Sequence, residues 1–143
     1  MRSILVLFTT LLALIGQPAA AAAADNTAFD GSWSVTLTCP QFNEDDEARG
    51  YTHHFVANVK DGELRGMRGT EGEPGWHLLT GRIGADGRAK LKFDGIVNNP
   101  AYAVNDAKRG KPYVYFVRAK FEDSRGEGVR IGKRKCDFTF ART

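Results

Sequence analysis

Beyond residue 30 the chain alternates apolar and polar residues with a period of two. The clearest run is Ser32 to Pro40, where Trp33, Val35, Leu37 and Cys39 share one face and Ser32, Ser34, Thr36 and Thr38 the other. Such alternation marks a strand with one dry side. Tyr51 to Lys60 makes a second run, and Asp61-Gly62 supplies a two-residue hairpin turn into Glu63 to Gly69. His77 to Ile83 follows, and the Ala85-Asp86-Gly87 region turns the chain into Arg88 to Val97. After the long segment Asn98 to Pro112 comes Tyr113 to Glu122, with Tyr115, Val117, Ala119 and Phe121 on one face. Ser124-Arg125-Gly126 turns the chain again toward Val129 and Ile131, then Cys136, Phe138 and Phe140. Helical periodicity is nearly absent. Short strands joined by tight turns predict an all-β fold, a single small antiparallel β-barrel of seven or eight strands.

The strand count turns on the last segment. Val129 and Ile131 are odd-numbered, whereas Cys136, Phe138 and Phe140 are even, so strict alternation cannot place all five on one face. Either Gly132 to Lys135 is a turn and there are eight strands, or one long strand carries a bulge there.

The start of the chain has a different pattern. Met1 and Arg2 precede the apolar run Ile4 to Ile15; Gln17 and Pro18 break it, and Ala19 to Ala24 lead to Asp25. A basic start, a short apolar core and small residues before a cleavage point describe a secretory signal peptide over 1–24, leaving 25–143 as one domain. The run is shorter than the roughly 20 residues of a membrane span; the alternative is a retained N-terminal anchor. The expected location is secreted or periplasmic, with no membrane span after cleavage.

That compartment gives meaning to the two cysteines, Cys39 and Cys136, which sit at the end of the first strand and the start of the last. In an oxidising destination they read as a disulfide closing the barrel; two buried free thiols are the alternative. Placing them opposite one another across antiparallel strands sets Leu37 against Phe138, Val35 against Phe140 and Trp33 against Arg142. Every pair then matches in face, and the last sets a guanidinium beside an indole, a cation–π contact worth roughly 0.5–2 kcal/mol.

Gly31-Ser32-Trp33 on the first strand, with Arg142 from the end of the chain covering the tryptophan, resembles the calycin pattern of lipocalins, avidins and fatty-acid-binding proteins. The resemblance implies a small meander barrel whose open mouth takes a small ligand. It covers the region after the leader as topology and does not identify that ligand.

Charge adds little. The net charge of +3 becomes +2 once Arg2, the single charged residue of the leader, is removed. That balance gives no argument for nucleic acid or a membrane surface. The acidic Glu44, Asp45, Asp46 and Glu47 and the basic Lys108 to Lys111 and Lys133 to Lys135 read as solvated loops or docking patches.

Catalytic and cofactor signals are sparse. His53 and His54 are adjacent, so on a strand they face opposite ways, and His77 is remote; no metal-ligand spacing exists. No serine lies in a nucleophile elbow and no glycine-rich phosphate loop is present. Glu71 and Glu73 read as a polar hairpin loop. The chain therefore reads as a non-enzyme without metal or cofactor.

Two binding functions remain, beside a purely structural reading as a module with no ligand of its own. In the first, Trp33, Val35, Tyr51, His53, Phe55, Tyr115 and Val117 line a cavity for a small apolar or aromatic ligand. In the second, the interior is packed and the loops grip a protein, as in small exported inhibitors of proteases or lysozyme, with Trp76, Tyr102, Arg109 and Tyr113 as anchors. Pro100 to Ala107 suits a short helical turn, placing Tyr102 as a plug of one barrel end. The alternating aromatics are large enough to fill an eight-strand interior.

Overall fold

The structure, a computed structural model, describes residues 26–44, 47–105 and 107–143. The expected leader, and Asp45 and Asp46 of the acidic cluster, lie outside the described residues. Among the described residues eight strands follow one another: β1 (Gly31–Cys39), β2 (Tyr51–Lys60), β3 (Glu63–Arg68), β4 (His77–Arg82), β5 (Arg88–Ile96), β6 (Pro112–Glu122), β7 (Arg125–Ile131) and β8 (Asp137–Arg142). They close into one antiparallel barrel in chain order, β8 returning to β1. The closing pair aligns Leu37 with Phe138, Val35 with Phe140 and Trp33 with Arg142, the register expected from the cysteine pair. A disulfide joins Cys39 and Cys136 across that seam.

The ambiguity near the C-terminus resolves as a turn. Residues 132–135 lie outside any strand, so the count is eight. Val129 and Ile131 point outward, 39% and 45% exposed, while Gly126 and Gly128 are the buried positions of β7. The apolar residues of this strand thus sit on its wet face, opposite to the habit of the other strands.

The barrel has two unlike ends. At the end where β1 begins, the interior is filled by Phe29, Trp33, Phe121 and Phe140. Trp33 meets Phe121 edge-on at 5.3 Å, and Phe121 meets Phe140 at 4.7 Å. Full burial of each such ring contributes on the order of 1.5–3 kcal/mol. The indole N–H of Trp33 donates to the Phe29 carbonyl at 2.9 Å, so its burial leaves no polar atom unpaired. Arg142 lies 5.0 Å from the Trp33 ring and donates to the Ala28 carbonyl at 2.7 Å. The Asp30 carboxylate accepts from the amides of Asp61 and Gly62. Those two residues have φ of 53° and 77°, the left-handed pair that a two-residue hairpin turn requires. This end is closed.

Candidate ligand cavity at the open end

The opposite end is built from the β1–β2 loop, the β3–β4 loop, the β5–β6 connection and the β7–β8 turn. Here the interior is not filled: a cavity of about 620 Å3 runs inward between the ends of the strands. The reason is local sequence. Gly128 on β7, paired with Ala119 and Phe138, puts no side chain into the lumen above the packed end, and β5 contributes Gly95, whose partners His77 and Tyr113 line the cavity. The aromatic side chains expected to fill the whole barrel fill only half of it.

Rings line the walls in a continuous series. Tyr102 meets Tyr51 edge-on at 6.2 Å, Tyr51 meets His53 at 4.8 Å, and His53 stacks on His77 at 5.4 Å. His77 lies 4.9 Å from Phe93, and Phe93 stacks on Tyr115 at 4.6 Å with their planes 9° apart. Tyr113 continues the set, also 9° from the Tyr115 plane. These side chains meet because β2, β4, β5 and β6 each present the inward phase of their alternation at the same height.

Polar atoms concentrate at the same place. Among the described residues, six buried side-chain polar atoms have no hydrogen-bond partner in the protein. Five belong to residues lining the cavity: His53 Nδ1, His77 Nε2, Tyr115 Oη, Arg130 Nε and Arg134 Nε. The sixth, Trp76 Nε1, lies on the residue between lining Gly75 and His77. Buried polar groups are ordinarily paired, so orphans gathered at one cavity mark a place where a further group can bind.

Burial sets the charge states. His77 is held down to about 3 by burial, then by His53 and by the positive charge of Arg68. His53 is lowered by the same burial, with Arg68 and His54 adding to it. Burial raises the Tyr113 and Tyr115 hydroxyls well above their ordinary value. At neutral pH the His53 and His77 imidazoles and the Tyr113 and Tyr115 hydroxyls are therefore uncharged, and the cationic side chains of the lining are Arg68, Lys111, Arg130 and Arg134.

Arg134 is 3% exposed, and its guanidinium is a structural tie. It donates to the carbonyls of Tyr102 at 2.7 Å, Pro40 at 3.0 Å and Arg49 at 2.7 Å. This one side chain fixes the β1–β2 loop and the short 3-10 helix Pro100–Tyr102 against the β7–β8 turn. Among the described residues no three His, Cys, Asp or Glu side chains gather as metal ligands.

The residues singled out from sequence divide between the two halves. Tyr51, His53 and Tyr115 line the cavity, whereas Trp33, Val35, Phe55 and Val117 lie deeper, in the packed core. Their inward phase is the same, but their height along the strands is not. Of the loop residues, Tyr102 and Tyr113 line the cavity and Trp76 flanks it. Tyr102, 36% exposed, forms part of the wall and leaves the mouth unplugged. Arg109 sits exposed in a turn away from the cavity lining. His77, Arg130 and Arg134 were not legible as site residues. For Arg130 the signal was its even-numbered phase, shared with the buried Gly126 and Gly128. Compared with known proteins, the chain matches no family model, no curated sequence and no solved structure.

Proposed function

We propose that this chain is an exported, non-catalytic binding barrel that holds a small ligand with a flat apolar body in the cavity at its open end. The observation that carries the reading is the clustering of unpartnered buried polar atoms around one ring-lined cavity in a barrel otherwise packed solid. A volume of about 620 Å3 falls within the roughly 300–1,000 Å3 typical of small-molecule sites. The calycin resemblance gains support from the eight-strand closed meander and the Arg142–Trp33 contact at its closed end. The disulfide supports an oxidising destination. The non-catalytic reading draws on His77: a general base works best with a pKa near the operating pH, and this imidazole is held far below it.

Native mass spectrometry of the protein taken from its own host without refolding tests the proposal. A released small molecule is the expected result. A bare mass together with a protein captured by the loops would contradict it and favour the inhibitor-like alternative.

A further inference from the structure

We propose that the ligand is an aromatic acid, its carboxylate taken by Arg130 and its ring laid parallel to Tyr113 and Tyr115. This inference rests on the cavity being a small-ligand site and adds the charge and shape of what enters it.

The charge follows from an imbalance. Arg68, Lys111, Arg130 and Arg134 face the cavity, and among the described residues no Asp or Glu lines it. The ion pairs among those residues, Arg82–Glu63, Arg88–Asp86 and Lys92–Asp94, do not involve these four cations. Arg134 has its terminal nitrogens committed to three carbonyls. Arg130 differs. Its guanidinium lies 4.2 Å from the centre of the Tyr115 ring, and its Nε is buried without an acceptor. A guanidinium cannot shed its proton, and its fork of donors matches a carboxylate in two parallel bonds. A cation so placed gains most from an anion that arrives already shaped to that fork. Tyr115 Oη, on a residue 6% exposed, adds a neutral donor without a partner beside the same guanidinium. Lys111 and Arg68 are exposed and raise the local concentration of anions at the mouth.

The shape follows from the rings. Tyr113, Tyr115 and Phe93 lie in nearly parallel planes, no pair more than 17° apart. Phe93 and the Arg130 guanidinium already cover Tyr115, so a flat ring lying in the same plane direction packs against Tyr113, which lines the cavity, whereas a saturated chain gains nothing from their common orientation.

Isothermal titration of the full disulfide-bonded protein with 2-naphthoate and with 2-naphthamide tests the inference, because the two probes share a ring and differ in charge. The carboxylate is expected to bind at least about tenfold more tightly, the advantage of a charge-assisted pair over a neutral one. Arg130→Gln should bring naphthoate to the level of naphthamide, weakening the carboxylate far more than the amide. In the unsubstituted protein, added salt should weaken naphthoate alone, a measurement that stands even if the variant does not fold. Equal affinity for the two probes overturns the acid and leaves the small-ligand reading intact. Binding of neither probe overturns both, as does binding of an acidic peptide where neither probe binds.

Discussion

Two side chains show how much of this barrel depends on single buried polar groups. Arg134 satisfies three carbonyls on two segments remote in sequence. Arg134→Leu leaves all three unpaired, and hydrogen bonds to a charged donor are worth about 1.5–3 kcal/mol each in favourable cases. A loss of roughly 2–4 kcal/mol in urea unfolding is expected. Arg134→Lys should recover less than half, since an ammonium lacks the planar fork. His77 makes stability depend on pH. Its folded pKa of about 3 lies below the ordinary 6.5, so between those values the unfolded chain binds the extra proton. Stability from this group is therefore complete above about pH 6.5 and is lost as pH falls toward 3. The loss should reach a few kcal/mol near pH 4, on the order set by about 1.4 kcal/mol per pKa unit. His53 is lowered for the same main reason and acts in the same direction. Urea midpoints at pH 7.5 and pH 4.5 should differ clearly in the natural protein and much less in His77→Phe. An equal drop in midpoint in the two proteins would remove His77 as the cause.

At the scale of elements, the site depends on which strand positions are left small. Gly95 on β5 pairs with Tyr113 on β6, and the Tyr113 ring lies across the glycine where a Cβ would collide with it. Gly95→Ala should push that ring off the cavity wall and destabilise the barrel by about 1–3 kcal/mol, as overpacking does. Unfolding midpoints and naphthoate affinity should both fall; an unchanged affinity would show that the ring is not part of the site. The strands themselves were readable in advance. Trp33, Val35 and Leu37 against Arg142, Phe140 and Phe138 admit one register, because a shift by one residue moves every apolar side chain to the wrong face. The cavity was not readable in the same way. β7 carries Val129 and Ile131 on its outer face, so its inner phase of glycines and Arg130 shows no apolar mark. Likewise, Arg134 sits in a basic run that reads as solvated, and its partners Pro40 and Arg49 lie 94 and 85 residues away. Burial of that kind is decided by tertiary contacts, which alternation does not encode.

For the molecule as a whole, the unlike ends divide the work of the fold. The closed end supplies packing, from Trp33 and its neighbours; the open end forgoes part of it and is held by the disulfide and by Arg134. Cys39 and Cys136 stand 97 residues apart, tying the end of β1 to the residue before β8. Cys39→Ser is expected to lower stability by roughly 2–5 kcal/mol. Its effect should be greatest on amides near the mouth, read by hydrogen exchange. Uniform loss of protection over both ends would instead make the bond a support of the entire barrel. On the proposed function, the open end alone receives a small ligand. Titrating the isotopically labelled protein with 2-naphthoate and following its amide and side-chain NMR signals tests this most directly. Saturable shifts should concentrate on Tyr51, His77, Tyr115 and Arg130 and leave Phe29, Trp33 and Phe140 unmoved. Shifts centred on the closed end or the outer sheet face, or no saturable shifts at all, would contradict it.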